Sequence, residues 1–285
     1  LVDMATDATG VPLAMRLAAA RSELKDDPGV EQALRRALEL ETTNSDVRDR
    51  LRTLYEKGQK WAELAELLVQ DADLAEDAAG TEKTPAAIAA IVKSLRRAAD
   101  IHTTHRKSFG DAVPPLERAS ALLPADRELL LLLCDAYTAS GREKSAAEAL
   151  EKVIASFAGK RTKELAVYHH RLGRALSSLG DQPGALAQFD LAQKIDPGSI
   201  VVLRDLGIFA LESGDLDRAQ KTFRALLLQK LDDKSGISKG EVFHYLGEIL
   251  LKQNDKPKAL QMFERALEND ASLSKSRARI SELKG

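Results

Sequence analysis

Three stretches of the chain carry the same residues at the same spacing: Leu172-Gly173, Ala185 and Phe189; Leu206-Gly207, Ala219 and Phe223; Leu246-Gly247, Ala259 and Phe263. Leucine to alanine is 13 residues each time, and alanine to phenylalanine is 4. The first two copies lie 34 residues apart and the next pair 40, which reads as a period of 34 followed by a six-residue insertion in the polar stretch Leu231 to Gly240. A fixed period of this length constrains the fold more than any other feature. Each copy must be one supersecondary unit, unable to bury its apolar face alone, so that neighbours stack to make a continuous core.

A turn signal lies between the Leu-Gly pair and the alanine of every copy: Gly180-Asp181-Gln182-Pro183, Gly214-Asp215 and Asn254-Asp255-Lys256-Pro257. Each copy is thus helix, tight turn, helix. Aromatic residues are only 4% of the chain and charged residues 30%, a mixture suited to helices that pack through small side chains. With no alternating apolar segment to serve as a strand, about fifteen helices and no sheet are expected.

Upstream, Leu130, Leu133, Tyr137, Ala146, Leu150 and Val153 outline a further unit, with Cys134 in the place of the glycine. Leu95, Ala98, Ala99, Ala112, Leu116, Ala119 and Pro124 outline the one before. Leu51, Tyr55, Leu64 and Leu68 mark another, and Leu17, Leu34, Ala37 and Leu40 the first, with Asp27-Pro28-Gly29 as its turn.

This pattern resembles the tetratricopeptide repeat, which runs aromatic, Leu-Gly, Tyr, then Ala and Phe, with a closing proline. Phe243 fills the opening aromatic slot of the last unit, Ala192 and Ala266 the later small slot, and Pro197 the closing one. The resemblance implies an all-α fold, a right-handed superhelical solenoid of helix-turn-helix repeats whose first helices line a concave groove. Residues 1–285 would form a single solenoid, with repeats at about 11–44, 45–78 (then a linker to 91), 92–126, 127–160, 166–199, 200–233 and 240–273, and a capping helix at 274–285. The chain opens Leu1-Val2-Asp3, so excision from a longer bacterial-type protein is expected.

Several function classes are disfavoured. The formal net charge of −2 would not draw the chain onto phosphate backbones, so no nucleic-acid partner is expected. The longest apolar run, Leu129 to Cys134, is far short of a membrane span. Cytoplasmic residence is expected, with the periplasm as the alternative. The lone Cys134 occupies a packing slot. His102 and His105 share a helical face but lack further ligands, and the adjacent His169 and His170 point about 100° apart and cannot chelate one ion. His169 is read as structural, His170 as groove-lining, and Trp61 as a core residue with partner contact as the alternative. No loop has the strand, Lys and Ser or Thr of a phosphate cradle, and no nucleophile, base and oxyanion donor occur together. No enzyme activity, metal or cofactor is expected.

The expectation is a protein-interaction scaffold that holds a peptide or small folded partner in its groove. Residues at a constant offset from each Leu-Gly anchor line up from hairpin to hairpin, giving a strip of Arg97, Leu131, His170, Arg171, Arg174, Arg204, Ile208, His244, Tyr245 and Glu248. A solvated helix face would also be charged, but guanidinium donors beside Ile208 suit an acidic segment with hydrophobic anchors. One subset of the family grips a C-terminal carboxylate with Lys and Asn; here Asp135, Arg174, Ile208 and Glu248 stand at those places, so chaperone tails of that kind are not expected. The alternatives are self-assembly within a larger array, or a regulatory or targeting arm of an enzyme whose catalytic part lies elsewhere.

Overall fold

A computed structural model describes residues 8–159, 162–232 and 235–285, and every regular element among them is helical. The chain divides into two compact units with the boundary between Arg142 and Glu143. The first holds α1 (Val11–Glu23), α2 (Asp27–Leu40), α3 (Ser45–Lys57), α4 (Trp61–Ala79), α5 (Pro85–Thr104), α6 (Phe109–Leu122) and α7 (Arg127–Ala139). The second holds α8 (Glu143–Ala155), α9 (Lys163–Ser178), α10 (Gln182–Ile195), α11 (Ile200–Glu212), α12 (Leu216–Leu227), α13 (Lys239–Lys252), α14 (Lys256–Asn269) and α15 (Ser274–Lys284). Fifteen α-helices and no strand are therefore found among the described residues, a solenoid of helical repeats.

In the second unit one turn is used three times. Gly180, Gly214 and Asn254 take positive φ of 82°, 83° and 63°, which ends the first helix of the hairpin. The aspartate that follows caps the next helix: Asp181, Asp215 and Asp255 accept from the backbone N–H of Gly184 (3.0 Å), Arg218 (3.1 Å) and Lys258 (3.2 Å). Lys25 and Asp26 repeat the device in the first unit, with φ of 58° and a 3.0 Å bond from Gly29 N–H.

The recurring glycines are where the paired helices meet. A Cβ built on Gly173 would lie 3.0 Å from the Phe189 ring, one on Gly207 2.9 Å from Phe223, and one on Gly247 2.6 Å from Phe263. Each phenylalanine belongs to the second helix of the same hairpin and is fully buried, as are Ala185, Ala219 and Ala259 one turn before. The Leu-Gly, Ala and Phe spacing is thus a ring-on-backbone contact inside each hairpin.

Two local features depart from the sequence reading. The third repeat was placed from residue 92, but α5 starts at Pro85, where Thr84 Oγ1 accepts from Ala87 N–H at 3.2 Å. The insertion is not simply a polar loop: Ser235 and Ile237 are buried, and Ile237 joins the core of Leu203, Phe223 and Val242; residues 233 and 234 of that stretch lie outside the described residues. Residues 160 and 161, at the end of the fourth expected repeat, and the first seven residues also lie outside those described. In the first unit Arg48 is buried, pairing with Asp71 and donating to the carbonyls of Thr42 (2.9 Å) and Leu67 (3.3 Å), which ties α3 to α4.

Candidate functional site

The second unit has an open cleft of about 250 Å³ between the first helices α9 and α11. Arg174, Ser177 and Ser178 line it from α9, and Arg204, Asp205, Ile208 and Glu212 from α11. Its floor is Phe189 and Phe209, with ring centroids 5.3 Å apart. Residues 174 and 178 on one helix, and 204, 208 and 212 on the other, share a face because they recur at four-residue intervals.

Asp205 organises this cleft. It accepts from His170 Nε2 at 2.8 Å and from Arg204 Nε at 2.7 Å, with Arg174 Nε at 3.9 Å. Burial works against the charged carboxylate, yet the hydrogen bonds from His170 and Arg204 outweigh it and hold the carboxyl at about 2. Arg204 also donates to the carbonyl of Gly236 at 3.2 Å, which anchors the inserted segment to α11. Its guanidinium is therefore fixed, whereas the Arg174 side chain is 67% exposed.

The structure redistributes the strip expected from sequence. Arg174, Arg204 and Ile208 do come together in this cleft. His170, expected to face outward, is buried, with its ring against Phe189 and Asp205. Arg171 is half-buried on α9 and does not line the cleft. His244 and Glu248 instead meet α15, and Tyr245 meets α12. His244 Nδ1 lies 2.9 Å from Ser276 Oγ, Tyr245 stacks on Phe223, and Glu248 takes a two-pronged bond from Arg279 at 2.7 and 3.1 Å. Burial lowers the His244 pKa, with Glu248 opposing and Lys275 and Arg279 reinforcing. Arg97 and Leu131 belong to the first unit; Arg97 is exposed and pairs with Glu56, and Leu131 is half-buried.

The sequence reading overlooked Asp205 and also Val167 and Val201, which are 53% and 44% exposed. The signal was available: each valine lies six residues before the glycine of its Leu-Gly pair, on the same face as Arg174 and Ile208 seven residues on. The other singled-out side chains are occupied by packing. His169 Nδ1 meets Gln188 Oε1 at 2.7 Å, and Cys134 is buried. Trp61, half-buried against the first-unit core, stacks on His105 at 3.8 Å. Among the described residues no three His, Cys, Asp or Glu side chains gather as a metal site, and no helix is long and apolar enough to cross a membrane.

The family profile of the tetratricopeptide repeat matches residues 204–274, spanning α11, α12, α13 and α14. These are tetratricopeptide repeats. Solved structures resemble the chain more widely. A MamA crystal structure aligns at 18% identity over 65% of this chain and 94% of that one, with a TM-score of 0.54. YrrB, described as a TPR protein with an unusual peptide-binding site, aligns at 18% identity over 65% and 89%, with a TM-score of 0.52. BtubC from P. vanneervenii aligns at 20% identity over 75% and 92%, with a TM-score of 0.53. At such identities the likeness is one of fold. No curated protein matches the chain by sequence.

Proposed function

We propose that this chain is a non-enzymatic scaffold that binds another protein, and that the cleft between α9 and α11 receives an acidic segment carrying one or two apolar anchors. The observation behind this reading is the exposed Arg174 guanidinium that lines the cleft with Ile208, together with the exposed Val167 and Val201 at equivalent positions of adjacent hairpins. Arg174 offers a charge-assisted contact to a carboxylate. Exposed charge alone gives weak, salt-screened binding, whereas aliphatic area is not screened. The tetratricopeptide repeats in α11 to α14 support the reading, since stacked hairpins present such surfaces at regular intervals.

The test is titration of a fluorescein-labelled peptide of alternating glutamate and leucine, followed by anisotropy. Arg174→Glu combined with Val201→Asp changes only exposed side chains and should weaken binding about tenfold, while helicity and melting stay at the parent values. Parent-like affinity in that variant would move the site elsewhere.

A further inference from the structure

Adjacent second helices are stitched together by arginines in two places. Arg118 of α6 reaches Asp73 and Glu76 of α4 at 2.7 and 3.1 Å, and Arg218 of α12 pairs with Asp190 of α10. Between α2 and α4 the stitching stops short. Lys60, at the start of α4, pairs with Glu31 of α2, but farther along α4 Glu63 and Glu66 enter no ion pair among the described residues. Glu66 accepts only a long 3.5 Å contact from Gln70. Arg35 of α2 lines the same cleft; its Nε meets the Tyr55 hydroxyl and Glu31 at 3.0 Å each, and it lies in the field of Glu63 without pairing with it. At this point the helices stand apart around a cleft of about 550 Å³, lined by Glu63 and Glu66 and by apolar Leu38, Leu51, Leu67 and Leu74. The other charged groups facing it are neutralised: Arg48 by Asp71, Glu39 by Arg36 and Asp73 by Arg118.

We infer that the cleft between α2 and α4 binds a basic segment of a partner protein, whose arginine or lysine takes the place that Arg118 and Arg218 fill elsewhere. Two carboxylates that no ion pair occupies, with Arg35 and Lys60 in the field of Glu63 but bound to Glu31, are set above aliphatic side chains; they complement a long cationic side chain whose methylenes lie on apolar surface while its charged head reaches the rim. From Glu63 to Leu74 the α4 wall runs roughly 16 Å at the helical rise, which accommodates about five residues of extended chain. Aliphatic residues two and four positions from the cation, on the same side of the extended chain, would then rest on Leu67 and on Leu38 and Leu74. This site stands in the first unit and does not depend on the α9/α11 reading.

The experiment uses a labelled peptide of about five residues with arginine at the first position, leucine at the third and fifth and serine between them, so that all three side chains share one face, and the same peptide with citrulline for arginine, which keeps shape and removes charge. The full chain should bind the arginine peptide, and Glu63→Gln with Glu66→Gln should weaken it about tenfold. The citrulline peptide should bind the parent about as weakly, and Arg174→Glu should leave arginine-peptide binding unchanged. Glutamine suits an exposed helix as well as glutamate does, so a parent-like circular dichroism spectrum is expected; Glu66→Gln alone provides a second, milder variant. Parent-like binding by the glutamine variants, equal binding of the citrulline peptide, or no binding of the arginine peptide would each overturn the inference.

Discussion

The glycine contacts allow a graded test, because the three hairpins differ in how closely the phenylalanine ring approaches. Alanine in place of glycine inside a helix gains about 1 kcal/mol of intrinsic propensity, while forcing a methyl into a packed space costs about 1–3 kcal/mol. At Gly173 the new Cβ would meet Phe189 at 3.0 Å and the Ala185 carbonyl oxygen at 3.2 Å, the mildest overlap of the three, so propensity offsets most of the penalty and Gly173→Ala should cost least. At Gly247 it would meet Phe263 at 2.6 Å, and that ring is fully buried with His244 packed 5.5 Å away, so it has little room to retreat. Gly247→Ala should therefore destabilise by about 1–2 kcal/mol net, with Gly207→Ala between the two. Urea unfolding followed by far-ultraviolet circular dichroism measures the order. A double-mutant cycle sharpens it: in the presence of Phe263→Leu the penalty of Gly247→Ala should shrink or reverse, because the crowding atoms are gone. Equal effects at the three glycines, or stabilisation by Gly247→Ala, would refute the ring-on-backbone explanation.

Asp205→Asn should cost about 2 kcal/mol at neutral pH, from a carboxyl lowered from its ordinary 3.8 to about 2. Because the folded-state pKa is depressed, that contribution is present above pH 4 and lost as pH falls through 2, so parent and variant melting temperatures should converge in strong acid. Arg48→Ala should cost about 2 kcal/mol, since it removes a buried guanidinium that bridges Asp71 and the Thr42 and Leu67 carbonyls while Asp71 keeps Arg52 at 3.1 Å, and thermal melting by circular dichroism would show it. Arg279→Ala should speed amide hydrogen exchange in α15 while leaving exchange in α9 and α10 unaltered, because Arg279 holds the helix to Glu248.

The helical repeat was legible because its determinants are local and periodic. Gly173, Gly207 and Gly247 announce a close helix approach, and Gly180-Asp181 and its counterparts announce both a left-handed turn and a cap. The binding strip was legible only in part. A constant offset from the Leu-Gly pair identifies which residues share a face, but not whether the next hairpin supplies a partner that draws one of them inward. His170 is buried because an aspartate stands 35 residues later at position 205, and His244 and Glu248 are occupied because α15 brings Ser276 and Arg279. None of those partners repeats, so periodicity could not reveal them. The α2/α4 cleft was hidden for a related reason: it arises where a bridging arginine is missing, and an absence has no sequence motif.

The glycine and phenylalanine that touch in each hairpin are 16 residues apart, at 173 and 189, 207 and 223, and 247 and 263. Closing so short a loop costs little chain entropy, and contacts of low sequence separation form quickly. Each of these hairpins can therefore serve as its own folding nucleus, with assembly of the second unit spreading to neighbours in either direction. A substitution that weakens one glycine contact would slow the formation of that hairpin and leave other starting points open, so refolding should persist by a different order of events.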